Sequence, residues 1–158
     1  MTDYALMTDR LISLAEASAC WMPLLSNASA LVFDALADIN WAGFYLVSEG
    51  RLLLGPFQGR PACVTIDKDR GVCGTAWDKD ATLLVPDVHA FPGHIPCDSA
   101  SRSEIVVPVH RDGSVAGVLD IDSPLASRFT EEDKSGLEAF VKVLERIIIW
   151  DSLRISAE

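Results

Sequence analysis

The sequence is poor in basic residues: 13 lysines and arginines stand against 23 aspartates and glutamates, a net charge of −10. Proteins bind nucleic-acid phosphates through clustered lysines and arginines, and this sequence has no such cluster. The same balance disfavours anionic membranes. No apolar run approaches a membrane-spanning length, and the first residues, MTDYAL, lack the basic and apolar regions of a secretion signal. We expect a cytosolic protein that binds neither nucleic acid nor membranes.

Cysteine is also scarce, with four residues in the chain. The cytosol keeps thiols reduced, so we expect buried thiols, metal ligands or redox catalysts rather than structural disulfides. Cys20 falls in a predicted helix and is interpreted as a small packing residue. The sequence contains no close Cys-x-x-Cys or His-x-x-x-His pair. A zinc site is therefore disfavoured, although the chain offers a set of candidate ligands: Cys63, Cys73, Cys97, His89 and His94.

The size and composition of the chain are those of one globular domain. Its 158 residues are enough for one buried core and too few for two ordinary domains, and 49% are apolar. We predict a single domain over residues 1–158, with N-terminal helices in 1–38, a sheet and active-site loops in 40–124, and a C-terminal helix in 130–154.

Helical spacing of apolar residues is present near both ends of the chain. Residues 9–38 are predicted to form two helices that break at Pro23 and the Ser26-Asn27 pair. The last helix is predicted to begin near Thr130, which forms a capping box with Asp133. A shorter helix is predicted after a glycine-bracketed turn in 67–77, with Asp69 as its cap.

Between these helices the pattern is that of strands and turns. Two hairpins are predicted, 41–47 with 51–57 and 104–110 with 114–123, and residues 55–61 are interpreted as a loop. Shorter strands are expected at 63–66 and 82–88. The pattern predicts an α+β fold in which helices from both ends pack on a mainly antiparallel sheet of five or six strands.

The longest segment without periodicity, residues 89–104, contains Cys97. Long loops inside compact domains often carry function, which makes Cys97 a candidate redox nucleophile. From the residues alone, Cys73 is the candidate that thiol chemistry nominates as the reactive thiolate, because it lies where a helix begins and helix N-termini lower the pKa of thiols. From the residues alone, Cys97 is favoured only by its loop position and by nearby His94.

The predicted strand that contains Asp120 and Asp122 is unusual because strands disfavour aspartate. Alternation places both side chains on one face, roughly 7 Å apart, and Glu104 opens the strand that pairs with it. Clustered carboxylates repel one another unless a cation or bound protons relieve them. The pattern therefore indicates either a cation-binding pocket or a solvated sheet edge.

Seven segments, in order from about Asn40 to the last helix, form a distinctive combination: 41–45 (WAGFY), 55–59 (GPFQG), 61–63 (PAC), 71–76 (GVCGTA), 87–98 (DVHAFPGHIPCD), 103–106 (SEIV) and 117–124 (GVLDIDSP). Together these segments resemble the free methionine-(R)-sulfoxide reductases, a family built on a single GAF domain. The resemblance implies a GAF-like fold and reduction of free methionine sulfoxide.

The resemblance also implies a role for individual residues. Cys97 is the expected nucleophile, Cys63 the resolving thiol and Cys73 an additional redox cysteine. The substrate is expected to be held by an acidic group and enclosed by aromatic walls: Glu104, Asp120, Asp122, Trp41 and Tyr45. No metal or organic cofactor is expected.

Two kinds of partner and one rival function complete the expectations. A thioredoxin-type dithiol is expected to recycle the enzyme, and the apolar N-terminal helices are candidates for a homodimer interface. The rival function is that of a non-catalytic GAF module that senses a small ligand or redox state, since most GAF domains bind ligands without catalysis.

Overall fold

The computed structural model describes residues 1–157, in which four α-helices and one short 3-10 helix surround a six-stranded sheet. The α-helices are α1 Tyr4–Ala17, α2 Trp21–Ala35, α3 Gly71–Lys79 and α4 Glu131–Ile147, and the 3-10 helix is Val88–Ala90. The strands are β1 Trp41–Ser48, β2 Arg51–Gly59, β3 Thr65–Asp67, β4 Leu83–Val85, β5 Ser103–Arg111 and β6 Ser114–Ser123.

The sheet has the order β3-β2-β1-β6-β5-β4, and every neighbouring pair is antiparallel. The predicted α+β class and the antiparallel six-stranded sheet are thus confirmed. Both predicted hairpins are present, and their turns contain pairs of residues with positive φ: Glu49 with Gly50 and Asp112 with Gly113. Such turns match the right-handed twist of the paired strands.

The two faces of the sheet are covered differently. α2 and α4 pack on one face and α1 packs across both helices, enclosing a core that includes Phe44 and Leu119. α3 and the long loops cover the other face, where Trp41, Tyr45 and Val118 lie. Because both faces are covered, β1 is apolar on both sides, and alternation alone does not distinguish its two faces.

The N-terminal helices differ from the prediction at their junction. α1 begins at Tyr4, and the break lies between Ala17 and Trp21 rather than at Pro23 and Ser26-Asn27. Pro23 is the third residue of α2, where a missing backbone N–H leaves no helical hydrogen bond unmade. Within residues 1–157 no helix has both the length and the apolarity needed to span a membrane.

The last helix begins as predicted and ends sooner. Thr130 and Asp133 form the reciprocal capping box, with Asp133 N–H donating to Thr130 Oγ1 at 3.2 Å and Thr130 N–H to Asp133 Oδ2 at 2.8 Å. The helix stops at Ile147, short of residue 154.

The start of α3 is built differently from the prediction. Arg70, rather than Asp69, precedes the first helical residue, and no side chain caps the helix. Asp69 instead adopts a φ of 59° and donates its backbone N–H to the carbonyl of Gly74. A Cβ at Gly74 would lie 2.4 Å from the carbonyl oxygen of Asp67, so this close packing requires glycine.

Three strand bounds also differ. β2 continues to Gly59 and so includes most of the predicted loop at 55–61, whereas β3 and β4 have only three residues each. β1 and β2 change register between Gly43 and Tyr45. These differences leave the pairing of β5 with β6, which carries the acidic residues, as predicted.

Candidate active site

Three carboxylates meet on the face of the sheet that α3 covers. Glu104 on β5 pairs with Asp122 on β6, and the next residue on the same face of β6 is Asp120. Glu104 and Asp120 are 5% and 6% exposed, and Asp122 is half-buried. The structure therefore brings together the acids predicted from the sequence, in a buried cluster rather than at a solvated sheet edge.

The thiol of Cys73, which α3 carries, lies against the carboxylates. Cys73 is the third residue of α3 and is 4% exposed. Its Sγ donates to Glu104 Oε1 at 3.8 Å, and Sγ and one oxygen each from Glu104 and Asp120 all lie within 4.8 Å of one another. α3 thus closes the pocket floor with a thiol in contact with acids.

Burial dominates the electrostatics of this cluster. It raises the pKa of Glu104 well above its ordinary value, and repulsion by Asp120 and Asp122 raises it further. Burial also raises the pKa of Asp120 to about 6, and burial together with repulsion from Asp120 raises that of Asp122. The cluster therefore holds protons near neutral pH, which a general acid requires.

The same environment acts on the thiol of Cys73. Burial, followed by repulsion from Asp120 and Glu104, raises the pKa of the Cys73 thiol well above its ordinary value. Desolvation and nearby negative charge here oppose the lowering of the thiol pKa that the helix start predicts. Cys73 is a protonated thiol at neutral pH.

Cys97 and Cys63 form a disulfide at the rim of the pocket, with their Cα atoms 5.4 Å apart. Both residues are half-buried, and Cys97 lines the pocket. A disulfide between loop residues that border a pocket lies where a redox pair can act. The described chain thus contains one disulfide and two free thiols, Cys20 and Cys73.

Two aromatic residues line the pocket and donate hydrogen bonds to the segment that contains Cys63. Trp41 and Tyr45 are each 2% exposed, with ring centroids 5.9 Å apart. Trp41 Nε1 donates to the Arg60 carbonyl at 3.1 Å, and Tyr45 OH donates to the Cys63 carbonyl at 2.9 Å. Both are packed core aromatics and pocket walls at once.

A polar network that the sequence reasoning missed holds the Cys97 loop. Asn40 Nδ2 donates to Asp98 Oδ2 and to Ser101 Oγ, both at 3.1 Å, and Asn40 N–H donates to the Asp122 carbonyl at 2.9 Å. Asn40 therefore ties the loop to the strand that carries the acids. The position of Asn40 just before β1 is the only sequence signal, and it does not reveal these partners.

The histidines do not form the zinc set considered from the sequence. His94 lines the pocket and His89 lies beside it, with ring centroids 6.2 Å apart. Burial and the neighbouring His89 lower the pKa of His94. Within residues 1–157, the only group with metal-ligand geometry comprises Cys73, Glu104 and Asp120.

Comparison with known proteins identifies the family. The profile of the GAF domain matches residues 5–148. The free methionine-R-sulfoxide reductase of Escherichia coli is 52% identical over 128 residues, which are 81% of this chain and 78% of that protein. The chain belongs to the free methionine-R-sulfoxide reductase family.

Solved structures from this family have the same fold. One is the free methionine-R-sulfoxide reductase from Neisseria meningitidis in complex with its substrate. It is 43% identical to this chain with a TM-score of 0.87, and the match covers 91% of this chain and 87% of that chain. The fRMsr of Staphylococcus aureus, also in complex with substrate, is 50% identical with a TM-score of 0.89, covering 94% and 97%. The resemblance found in the sequence is confirmed.

The raised carboxyl pKa values predict an unusual pH dependence of stability. The unfolded pKa of aspartate is about 3.9, and the folded pKa of Asp120 is about 6. Between these values the folded protein binds more protons, so the free energy of unfolding falls as pH rises. Asp120→Asn is expected to stabilise the ligand-free protein at pH 8 by on the order of 1–3 kcal/mol, measured by denaturant unfolding.

The exposed residue Asp9 provides the matched control, since Asp9→Asn removes the same charge outside the cluster. We expect this control to leave the pH profile between pH 5 and 8 unchanged. A lower stability of Asp120→Asn than of the wild type at pH 8 would contradict the buried-charge account.

The raised pKa of Cys73 predicts that this thiol reacts slowly. In the fully reduced protein at pH 7, iodoacetamide should modify Cys97 and Cys63 at least roughly tenfold faster than Cys73, because the thiolate is the nucleophile. Mass mapping of the modified peptides over time measures the order. In urea the difference should disappear; modification of Cys73 first in the folded protein would show that its thiolate is stabilised.

Proposed function

We propose that the protein reduces free L-methionine (R)-S-oxide to L-methionine. The observation that carries the proposal is the buried cluster of Glu104, Asp120 and Asp122 beside the Cys63–Cys97 pair. The family relationship supports the same reaction, because the Escherichia coli relative is named a free methionine-R-sulfoxide reductase. The preference for the R epimer rests on that relationship.

The carboxylates would recognise the ammonium group of the free amino acid. Asp120 Oδ1 is buried and accepts no hydrogen bond within the described chain, and a buried acceptor without a partner is unfavourable. An ammonium group supplies donors and a positive charge at this point. A methionine inside a polypeptide has an amide nitrogen instead, so the cluster favours the free amino acid.

The other end of the substrate would lie against Trp41 and Tyr45. Their stacked rings present an apolar surface beside the acids. An aromatic wall suits the methylthio group, because sulfur contacts with rings are favourable. The amino acid would then span the pocket, with its sulfur at the Cys97 side.

The reaction would transfer oxygen from the substrate to Cys97. The Cys97 thiolate bonds to the sulfoxide sulfur, and Glu104, whose pKa is raised by burial, protonates the sulfoxide oxygen. The resulting hydroxyl group moves to Cys97 Sγ as the bond between Sγ and the substrate sulfur breaks, and the substrate sulfur keeps the electron pair. The products are methionine and a sulfenic acid on Cys97. The Cys63 thiol then condenses with the sulfenic acid, releasing water and forming the disulfide.

The remaining cysteine has a supporting place in this scheme. Cys73 is protonated and touches Glu104, so it is suited to pass a proton within the acid cluster and to serve as a further redox thiol after Cys63. The reaction needs no metal or organic cofactor, since two thiols supply both electrons.

A dithiol of the thioredoxin type would return the enzyme to its reduced form. The disulfide lies on half-buried loop residues, where a second protein can reach it. This reductant is present in the cytosol, in agreement with the location expected from the sequence.

We also propose one domain over residues 1–158 and a homodimer through exposed apolar residues of α1 and α2: Leu6, Ile12, Leu14, Met22 and Phe33.

Cysteine variants test the reaction directly. Cys97→Ser should abolish methionine release, because the proposed reaction begins with attack by the Cys97 sulfur on the sulfoxide. Cys63→Ser should release about one methionine per protein and then recycle poorly, because the sulfenic acid lacks its main partner. Chromatography of released methionine in single-turnover and steady-state assays measures both.

Cys20→Ser is the matched control, because Cys20 is a free thiol at the junction of α1 and α2, and it should retain full activity. Full steady-state activity of Cys97→Ser would show that another residue is the nucleophile. If reduced wild-type protein loses no thiols and releases no methionine with free methionine sulfoxide, the ligand-sensing GAF module is the correct function.

A further inference from the structure

The acid cluster also has the donor set of a metal site. We propose that Cys73, Glu104 and Asp120 bind a thiophilic divalent cation such as Zn²⁺, and that the cation blocks the pocket against substrate. The ligand atoms are one Sγ and two carboxylate oxygens, all within 4.8 Å of one another. The metal site stands on the structure of these residues, and only the competition with substrate rests on the proposed function.

The distances are close to those of a zinc centre. With Zn–S near 2.3 Å and Zn–O near 2.0 Å, tetrahedral coordination separates sulfur from oxygen by about 3.5 Å. Cys73 Sγ and Glu104 Oε1 are 3.8 Å apart. Small side-chain movements therefore suffice to bring the three ligand atoms to bonding distance of one ion.

A separate observation points to a missing positively charged ligand. Asp120 is 6% exposed, and its Oδ1 has no hydrogen-bond partner within residues 1–157. A carboxylate oxygen in this position is unfavourable unless a cation or a donor meets it. Metal coordination would use this oxygen and would neutralise the repulsion between Asp120 and Glu104.

The donor types select the kind of ion. Thiolate ligands favour Zn²⁺ and related ions such as Co²⁺, whereas Mg²⁺ and Ca²⁺ are bound by oxygen ligands alone. On binding, the Cys73 sulfur bonds to the metal and its proton passes to solvent. Three protein ligands leave a fourth position for water.

The metal site and the redox pair use different thiols. The disulfide takes up Cys63 and Cys97, and Cys73 stays free. The site therefore persists in the oxidised protein. The ion would occupy the position proposed for the substrate ammonium, so metal and amino acid exclude each other.

Cobalt binding tests the site without any need for turnover. In oxidised protein carrying Cys20→Ser, Cys73 is the one free thiol, and titration with Co²⁺ should produce a thiolate-to-cobalt absorption band that Zn²⁺ removes. In the same background Cys73→Ser should abolish the band, and Glu104→Gln should weaken binding roughly tenfold or more. Circular dichroism checks that each variant is folded.

Addition of free methionine sulfoxide should raise the apparent Kd for Co²⁺, because the two compete for the same position. The oxidised protein does not reduce the methionine sulfoxide during the titration, since Cys63 and Cys97 are held in the disulfide. Absence of the band, or a band that persists in Cys73→Ser, overturns the metal site. Cobalt binding that methionine sulfoxide leaves unchanged overturns the competition. Turnover by chelator-treated reduced protein tests the proposed reaction separately, because that reaction uses no metal.

Discussion

The pairing of β5 with β6 determines where the acidic groups of the pocket lie relative to one another. The register sets Glu104 opposite Asp122 and places Asp120 two residues away on the same face. Helices fill the opposite face, and α3 covers the acids, so the carboxylates are withdrawn from water. Their desolvation and mutual repulsion leave the pocket short of positive charge. A ligand with an ammonium group relieves both effects.

The redox cysteines and the acids lie on different elements, and two side chains connect them. Tyr45 extends from β1 to the carbonyl of Cys63, while Asn40 joins β1 to the loop after Cys97. The half-buried loop positions allow Cys63 and Cys97 to form and break a disulfide. The floor thiol, Cys73, belongs to a helix packed on the sheet. The groups proposed for binding and for electron transfer thus share one pocket but lie on separate segments.

Much of this arrangement follows from local sequence patterns. Alternation in residues 114–123 predicts that Asp120 and Asp122 share a face, and the turn residues around Gly113 fix the hairpin that brings Glu104 beside them. The capping box at Thr130 likewise depends on residues three positions apart. Patterns of this kind involve neighbours in the chain, which is why they are readable without coordinates.

Other features depend on contacts between distant segments. The helix-start position of Cys73 suggests a reactive thiolate, and only its burial against Glu104 and Asp120 reverses that inference. Asn40 has no distinctive sequence context, and its partners lie about sixty positions away. Pro23 predicts a helix break at its own position, but the break lies before Trp21, because proline is tolerated in the first turn of a helix.

The most direct test of the cation-binding role compares kcat/KM for free methionine sulfoxide and its N-acetyl derivative, in the wild type and in Asp120→Asn. Acetylation removes the positive charge while keeping the sulfoxide. The account predicts that the wild type prefers the free amino acid by roughly tenfold or more, in line with loss of a charged hydrogen bond, and that Asp120→Asn narrows this preference. Equal kcat/KM values for both substrates in the wild type would contradict it.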